Sequence, residues 1–261
     1  MTFRFSSSND VRHTLVNGVL LVTIDRPDKR NALSLGVLDS LRHIFTDVAG
    51  DTAIKVAVIR GAGAKAFASG GDLTELAAYR EREDAEALSR HGKAALDAIR
   101  LFPAPVIARM QGVALGGGAE LALACDLRMA SASCRLGFVH GRLCISPAWG
   151  GGRDLVRIVG PAKALYLMAS AAVLDASAAQ AMGLVNLVGP EDPSFDTWFE
   201  ERLALFRDQP AQVLRAYKAI TGSSRATDAE PAERVERESF CSLWCHDDHW
   251  NALRKLEGGR P

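Results

Sequence analysis

Two glycine-bearing turns and one glutamate define the chemistry open to this sequence. The first turn is Lys65-Ala66-Phe67-Ala68-Ser69-Gly70-Gly71-Asp72-Leu73, which follows a strand-like run. The second, Gly116-Gly117-Gly118, also follows a strand-like run and opens into Ala119-Glu120-Leu121-Ala122-Leu123-Ala124-Cys125, a strong helix former. Glycine lets a ligand approach the main chain closely because no Cβ intervenes. The first N–H groups of a helix lack an intrahelical acceptor and carry partial positive charge. Aimed at a carbonyl oxygen, they stabilise negative charge developing there, and one such donor is worth ~3 kcal/mol in a transition state. Glu120, in the first turn of its helix, would be a general acid or base beside that oxygen. A tight bend and a helix-end carboxylate account for the same residues without any ligand, so neither turn alone identifies a reaction.

Other patterns lead elsewhere. Gly61-x-Gly63-x-x-Ala66 imitates a dinucleotide fingerprint, but Phe67-Ala68-Ser69-Gly70-Gly71 follows at once and opens no helix for a pyrophosphate. A nicotinamide-dependent oxidoreductase would rest on that fragment alone. Cys241, Cys245, His246 and His249 have zinc-compatible spacing. Without a second cluster they read as a buried thiol pair beside polar surface.

The glycine turns must be positioned by regular elements. Val19–Ile24, Ile54–Ile59, Val106–Ala108, Asp126–Ala130 and Leu184–Val188 read as strands. Helical spacing covers Ser34–Val48, with Ser34 as cap, then Asp84–Leu101, Gly152–Ala169 and Asp175–Met182. Beyond about Asp196 only helical patterns remain, at Trp198–Phe206, Ala211–Ile220 and Ala229–Trp244. Alternation followed by helices alone predicts an α/β core with a helical appendage.

Composition limits the partners. In 261 residues, 31 Lys and Arg balance 31 Asp and Glu, which leaves no general attraction to nucleic acid or acidic lipid. The five cysteines, Cys125, Cys134, Cys144, Cys241 and Cys245, form no CxxC pair and read as reduced thiols. Met1–Gly18 lacks the apolar segment of a signal peptide, and no run reaches membrane-span length. A cytoplasmic protein is the expectation.

Taken in order, Arg26-Pro27-Asp28-Lys29-Arg30-Asn31-Ala32-Leu33-Ser34, Ala66-Phe67-Ala68-Ser69-Gly70-Gly71-Asp72-Leu73 and Gly112-Val113-Ala114-Leu115-Gly116-Gly117-Gly118-Ala119-Glu120-Leu121 resemble the crotonase, or enoyl-CoA hydratase/isomerase, superfamily. The resemblance continues through Cys125–Arg128, Pro147–Gly151 and Ala181–Val185, spanning roughly residues 18 to 256. It implies an α/β fold, the crotonase (ClpP-like) spiral of stacked β-β-α units. The core with the acyl-CoA site would occupy residues 1–195. Residues 196–261 would form a C-terminal helical oligomerisation region, giving homotrimers or homohexamers. It implies a bent acyl-CoA as substrate, lying along Lys29 to Ala32 and the turn from Gly71 through Asp72 to Leu73, and no cofactor beyond the substrate's own coenzyme A. The oxyanion donors would be the N–H groups of Gly71 and Gly117. Glu120 matches the first catalytic glutamate of the hydratases.

The position of the second hydratase glutamate, twenty residues on, is His140. An imidazole in place of a carboxylate removes a charge and an acceptor and adds a possible donor. The string Gly137–Gly151, with Val139-His140 and Pro147-Ala148-Trp149-Gly150-Gly151, is most similar to the ethylmalonyl-CoA decarboxylase branch. That similarity implies loss of carbon dioxide from a short malonyl-type thioester. Trp149 would be an apolar wall disfavouring the bound carboxylate, and Glu120 or His140 would protonate the enolate. Enoyl-CoA hydration, and an acyl-CoA-binding scaffold without catalysis, are the alternatives.

Overall fold

The computed structural model describes residues 10–223 and 229–258. Its strands divide between two sheets. The larger has the order β1 (Val11–Val16), β2 (Val19–Ile24), β3 (Val56–Gly61), β5 (Val106–Met110), β7 (Leu127–Ser131) and β10 (Leu187–Gly189). It is parallel except for the β1–β2 hairpin. The smaller sheet runs β4 (Ala66–Ala68), β6 (Val113–Leu115), β8 (Arg135–Gly137) and β9 (Val173–Asp175), with only β9 antiparallel. Parallel strands covered on both faces show as near-continuous apolar runs. That is why β2, β3 and β5 were legible, and β5 is buried throughout.

Long strand, short strand and helix recur along the chain. After helix α1 (Leu35–Asp47), the first unit is β3, β4, then α2 (Leu73–Leu76) and α3 (Arg82–Arg100). The second is β5, β6 and α4 (Gly117–Ala124), and the third is β7, β8, α5 (Gly151–Val159) and α6 (Pro161–Ser170). These are the stacked β-β-α units that the resemblance implies. Because β4, β6 and β8 are parallel neighbours, their C-terminal ends share one edge. They lead into Ser69–Gly71, Gly116–Gly117 and Val139–His140 respectively. Ligands of open α/β sheets bind beyond such strand ends.

Local signals explain most boundaries. Ser34 Oγ accepts the Val37 N–H at 3.2 Å and caps α1. Glu81 and Asp84 form a capping box that starts α3 two residues before the expected Asp84. The helix expected over Gly152–Ala169 is two helices. Gly160 has φ 78° and Pro161 opens α6, a pairing that ends one helix and begins the next. Residues 184–186 precede β10 rather than belonging to it, and hydrogen bonds tie Leu184 O and the Asn186 side chain to Arg128.

After α7 (Ala176–Ala181) and β10, the described chain is helical: α8 (Ser194–Arg207), α9 (Ala211–Ser223), α10 (Ala229–Trp244) and α11 (Asp247–Gly258), the last unforeseen in the sequence. Phe199 and Leu203 of α8 pack on Val56, Val58, Ile107 and Met129 of the large sheet. On the sheet's other side Phe45 and Phe102 meet edge to face at 5.1 Å within the main core. Helix α10 lies against α3, and α11 lies against the 3-10 turn Val139–Leu143. Cys241 is buried and Cys245 exposed, so the two do not form a buried pair. Among the described residues no helix is long and apolar enough to cross a membrane.

Candidate active site

The first glycine turn aims its amide by strand geometry. Leu33 and Gly71 form an isolated parallel bridge, in which Leu33 N–H donates to Gly70 O at 2.8 Å and Asp72 N–H donates to Leu33 O at 3.1 Å. Alternation along an extended chain then points the N–H of Gly71 away from Leu33. On that side stands the start of α4. A β-carbon on Gly70 would lie 3.2 Å from Leu115 O and 3.8 Å from Gly117 N. Gly116, at φ 52°, turns the chain and accepts the Ala119 and Glu120 N–H groups, leaving Gly117 as the first helical residue. Its N–H has no acceptor within the helix. The two turns are thus neighbours at one strand edge.

Both border a cavity of about 110 Å³. Gly71, Leu73, Gly117, Glu120, His140 and Trp149 line it, with Leu35, Leu38, Leu76 and Leu88 as apolar wall. Trp149 is wedged between two glycines. A β-carbon on Gly117 would fall 2.3 Å from its Cζ3, and one on Gly92 in the middle of α3 would fall 2.2 Å from its Nε1.

Glu120 is 2% exposed, and three contacts hold its carboxylate. Oε2 receives the N–H groups of Trp149 at 2.9 Å and Gly151 at 3.0 Å. Oε1 lies 3.1 Å from His140 Nε2. Burial pushes this carboxyl up, but the His140 hydrogen bond and charge, with the two backbone donors, outweigh it and hold Glu120 below its ordinary value. With Glu120 ionised, Nε2 of His140 is the donor. Nδ1 of His140 and Oγ of Ser146 are buried without a hydrogen-bond partner among the described residues, and both residues line the cavity.

The Trp149 turn is also held through its carbonyls. Ser89 Oγ donates to Ala148 O at 2.9 Å, and Arg100 Nη2 donates to Trp149 O at 2.9 Å. Arg100 is buried, bonded through Nε to Asp154 at 2.8 Å and through Nη1 to Asp97 at 2.8 Å. Burial opposes its charge, yet the two aspartates raise its pKa. Arg100→Met would remove the 2.8 Å partner of Asp154, itself 1% exposed, leaving it the more distant Arg157 at 3.7 Å. Stranding one partner of a buried pair costs about 3–5 kcal/mol. Urea unfolding of this variant is therefore expected to lose stability of that order. A change below ~1 kcal/mol would show the pair to be dispensable.

The profile of the enoyl-CoA hydratase/isomerase family matches residues 14–257. The chain belongs to that family. A short-chain-enoyl-CoA hydratase from Clostridium acetobutylicum is 31% identical over 246 residues, covering 92% of this chain and 94% of that protein. An ethylmalonyl-CoA decarboxylase from Bos taurus is 33% identical over 230 residues, covering 87% of this chain and 75% of that protein. The solved structure of an enoyl-CoA hydratase from Mycobacterium avium subsp. paratuberculosis K-10 superposes with a TM-score of 0.86 at 27% identity, over 96% of this chain and all of that one (100%). The fold of this hydratase/isomerase family enzyme is therefore the crotonase fold.

Within this family member, three residues expected beside the substrate are not among the cavity's lining. Asp72 pairs with Arg26 at 2.8 Å and with Lys29 at 3.6 Å. Burial pushes its carboxyl up, but the Arg26 hydrogen bond and charge, aided by Lys29, leave it lowered. Ala32 is buried and its carbonyl accepts from Arg26 at 2.6 Å, whereas Lys29 is largely exposed. The sequence reading missed Phe240 and Trp244, which reach the cavity from α10, and Ser146, six residues after His140.

Proposed function

We propose that this hydratase/isomerase family enzyme decarboxylates a short malonyl-type acyl-CoA. The observation carrying the proposal is the Glu120–His140 pair. Hydrating a double bond calls for two carboxylates that hold one water between them. Here Glu120 Oε2 accepts two backbone N–H groups, Oε1 lies beside His140 Nε2, and the group facing it is an imidazole, not a second carboxylate. Among the described residues the remaining lining contains no lysine or arginine to hold a carboxylate in its ground state, and Trp149 adds apolar surface. A carboxylate seated there loses solvation as its charge moves elsewhere.

The reaction then balances as follows. The thioester oxygen sits between the N–H groups of Gly71 and Gly117. The bond from the α-carbon to the carboxylate breaks, carbon dioxide leaves, and the electron pair enters the α-carbon to carbonyl-carbon bond to form an enolate. The two amides stabilise the oxyanion, at ~3 kcal/mol for each well-aimed donor. The α-carbon takes the proton shared by Glu120 Oε1 and His140 Nε2, and solvent restores it. His140 and Glu120, 3.1 Å apart, are the two groups that can deliver that proton.

Enoyl-CoA hydration is the second reading, favoured by Glu120 itself, which stands where hydratases carry their first glutamate. The deciding experiment offers methylmalonyl-CoA, ethylmalonyl-CoA and crotonyl-CoA separately. Carbon dioxide release from the first two, with slow water addition to the third, is expected. Turnover confined to crotonyl-CoA would overturn decarboxylation. The reading extends to a homotrimer or homohexamer, supported by Leu165 and Tyr166 of α6, which are 66% and 62% exposed on the isolated chain. Light scattering that gave a monomer would end it.

A further inference from the structure

Gly150, Gly151 and Gly152 stand where three charged side chains meet the main chain. A β-carbon on Gly150 would lie 3.0 Å from Arg100 Nη2, one on Gly151 2.3 Å from Glu120 Cγ, and one on Gly152 2.9 Å from Glu236 Oε2. The two carboxylates divide the amides of this turn between them. Glu120 takes Trp149 and Gly151. Glu236 takes Gly150 through Oε1 at 2.6 Å and Arg153 through Oε2 at 3.1 Å. Glu236 belongs to α10, and the cavity-lining Phe240 and Trp244 follow it at intervals of four. That spacing puts all three on one helical face.

We propose that Glu236 is a positioning residue of the active site, holding the Trp149 turn on the side opposite Glu120, so that α10 sets the shape of the acyl pocket. The inference rests on the site centred on Gly71, Gly117 and Glu120, and not on which acyl group reacts. A carboxylate at a helix start gains from the free N–H groups and their dipole, and charged acceptors bond more strongly than neutral ones. Without Glu236, the amides of Gly150 and Arg153 lose their acceptor and the turn keeps only its Glu120 anchors among these four bonds.

Charge couples the two carboxylates. Glu236 faces Glu120 from α4 and Arg100 from α3, and shares a small crevice with Arg90, Lys93 and Arg237. Burial first, then the Glu120 charge, push the Glu236 carboxyl up to about 7, against the Gly150 and Arg153 hydrogen bonds and Arg100. It therefore ionises as pH rises through neutrality, when its hold on the turn strengthens.

The test uses hydrogen exchange of the full-length protein and calorimetric binding of butyryl-CoA, neither of which requires decarboxylation. Glu236→Ala is expected to speed exchange across residues 149–153 about tenfold and to weaken butyryl-CoA binding by a similar factor. Glu236→Gln should fall between the two. In the wild type, binding should tighten as pH rises through about 7, and in Glu236→Gln it should not. Glu238→Gln, on an exposed part of the same helix, is the control. Should Glu236→Ala fail to fold, Glu236→Gln decides. Wild-type exchange rates and an unchanged pH profile in a folded variant would overturn the role. An enzyme inert toward malonyl-type thioesters would strike only the proposed reaction.

Discussion

Glu120→Gln is expected to lower kcat by roughly a thousandfold, within the range that general acid–base groups supply, while leaving the protein folded. The amide can keep one oxygen on the Trp149 and Gly151 N–H groups. Its other end becomes an NH₂ group facing His140 Nε2, where the wild type has an acceptor. Two donors cannot face each other, so the imidazole must offer Nε2 as a lone pair and shift its proton to Nδ1. If His140 is the donor in the proposed decarboxylation, the proton the α-carbon needs is then on the wrong nitrogen. Steady-state turnover of the preferred thioester, with circular dichroism to verify folding, checks this. A kcat within threefold of wild type would remove Glu120 from the mechanism. The same variant carries a stability signature. Glu120 is held below its ordinary carboxyl value of 4.5, so its contribution is complete above the unfolded pKa and is lost as pH falls through the lower folded one. Glu120→Gln should therefore lose less stability than wild type over that acid range.

Gly117→Ala should be nearly as severe, for a steric reason. The new methyl would sit 2.3 Å from Trp149 Cζ3 and 2.8 Å from Cη2. The indole cannot retreat, because its opposite edge rests on Gly92. Either the indole or the α4 amide must shift. Misplacing a donor by about an ångström costs on the order of a hundredfold in turnover. Overpacking a rigid slot costs ~1–3 kcal/mol, and at this chain length each kcal/mol lowers Tm by about 2–4 °C. Adding Trp149→Phe to Gly117→Ala removes the clashing ring and should restore most of the lost stability, an interaction a double-mutant cycle measures directly. A Gly117→Ala protein with wild-type Tm and turnover would show that the slot is looser than its geometry.

Some of this was legible in the sequence for definite reasons. The glycine turns and Glu120 could be read because close approach to a main chain restricts side-chain choice at the position itself. The strands β2, β3 and β5 could be read because coverage makes them almost continuously apolar, whereas β1, just as long but largely exposed, could not. The smaller sheet could not, since β4, β6, β8 and β9 have three residues each, too few to show a period. Yet it is this sheet that aligns the glycine turns. The Gly160-Pro161 break was readable from its dipeptide and was overlooked. The resemblance implies Asp72 as part of the substrate-binding turn, but its Arg26 partner could not be read, because only the fold brings Arg26 to it from 46 positions away. Glu236 was hidden among Glu230, Glu233 and Glu238. An acidic stretch of helix reads as solvated until a packing partner singles out one member.

The reach of α10 into the pocket bears on how the molecule is made. Chains emerge from the ribosome N-terminus first, and early segments start to fold before later ones exist. The glycine turns and Glu120 precede residue 121, whereas Glu236, Phe240 and Trp244 are synthesised more than a hundred residues later. Until then the Trp149 turn lacks one anchor and the cavity lacks part of its wall. A nascent chain stalled before that stage would hold the glycine turns and Glu120 without a finished chamber around them.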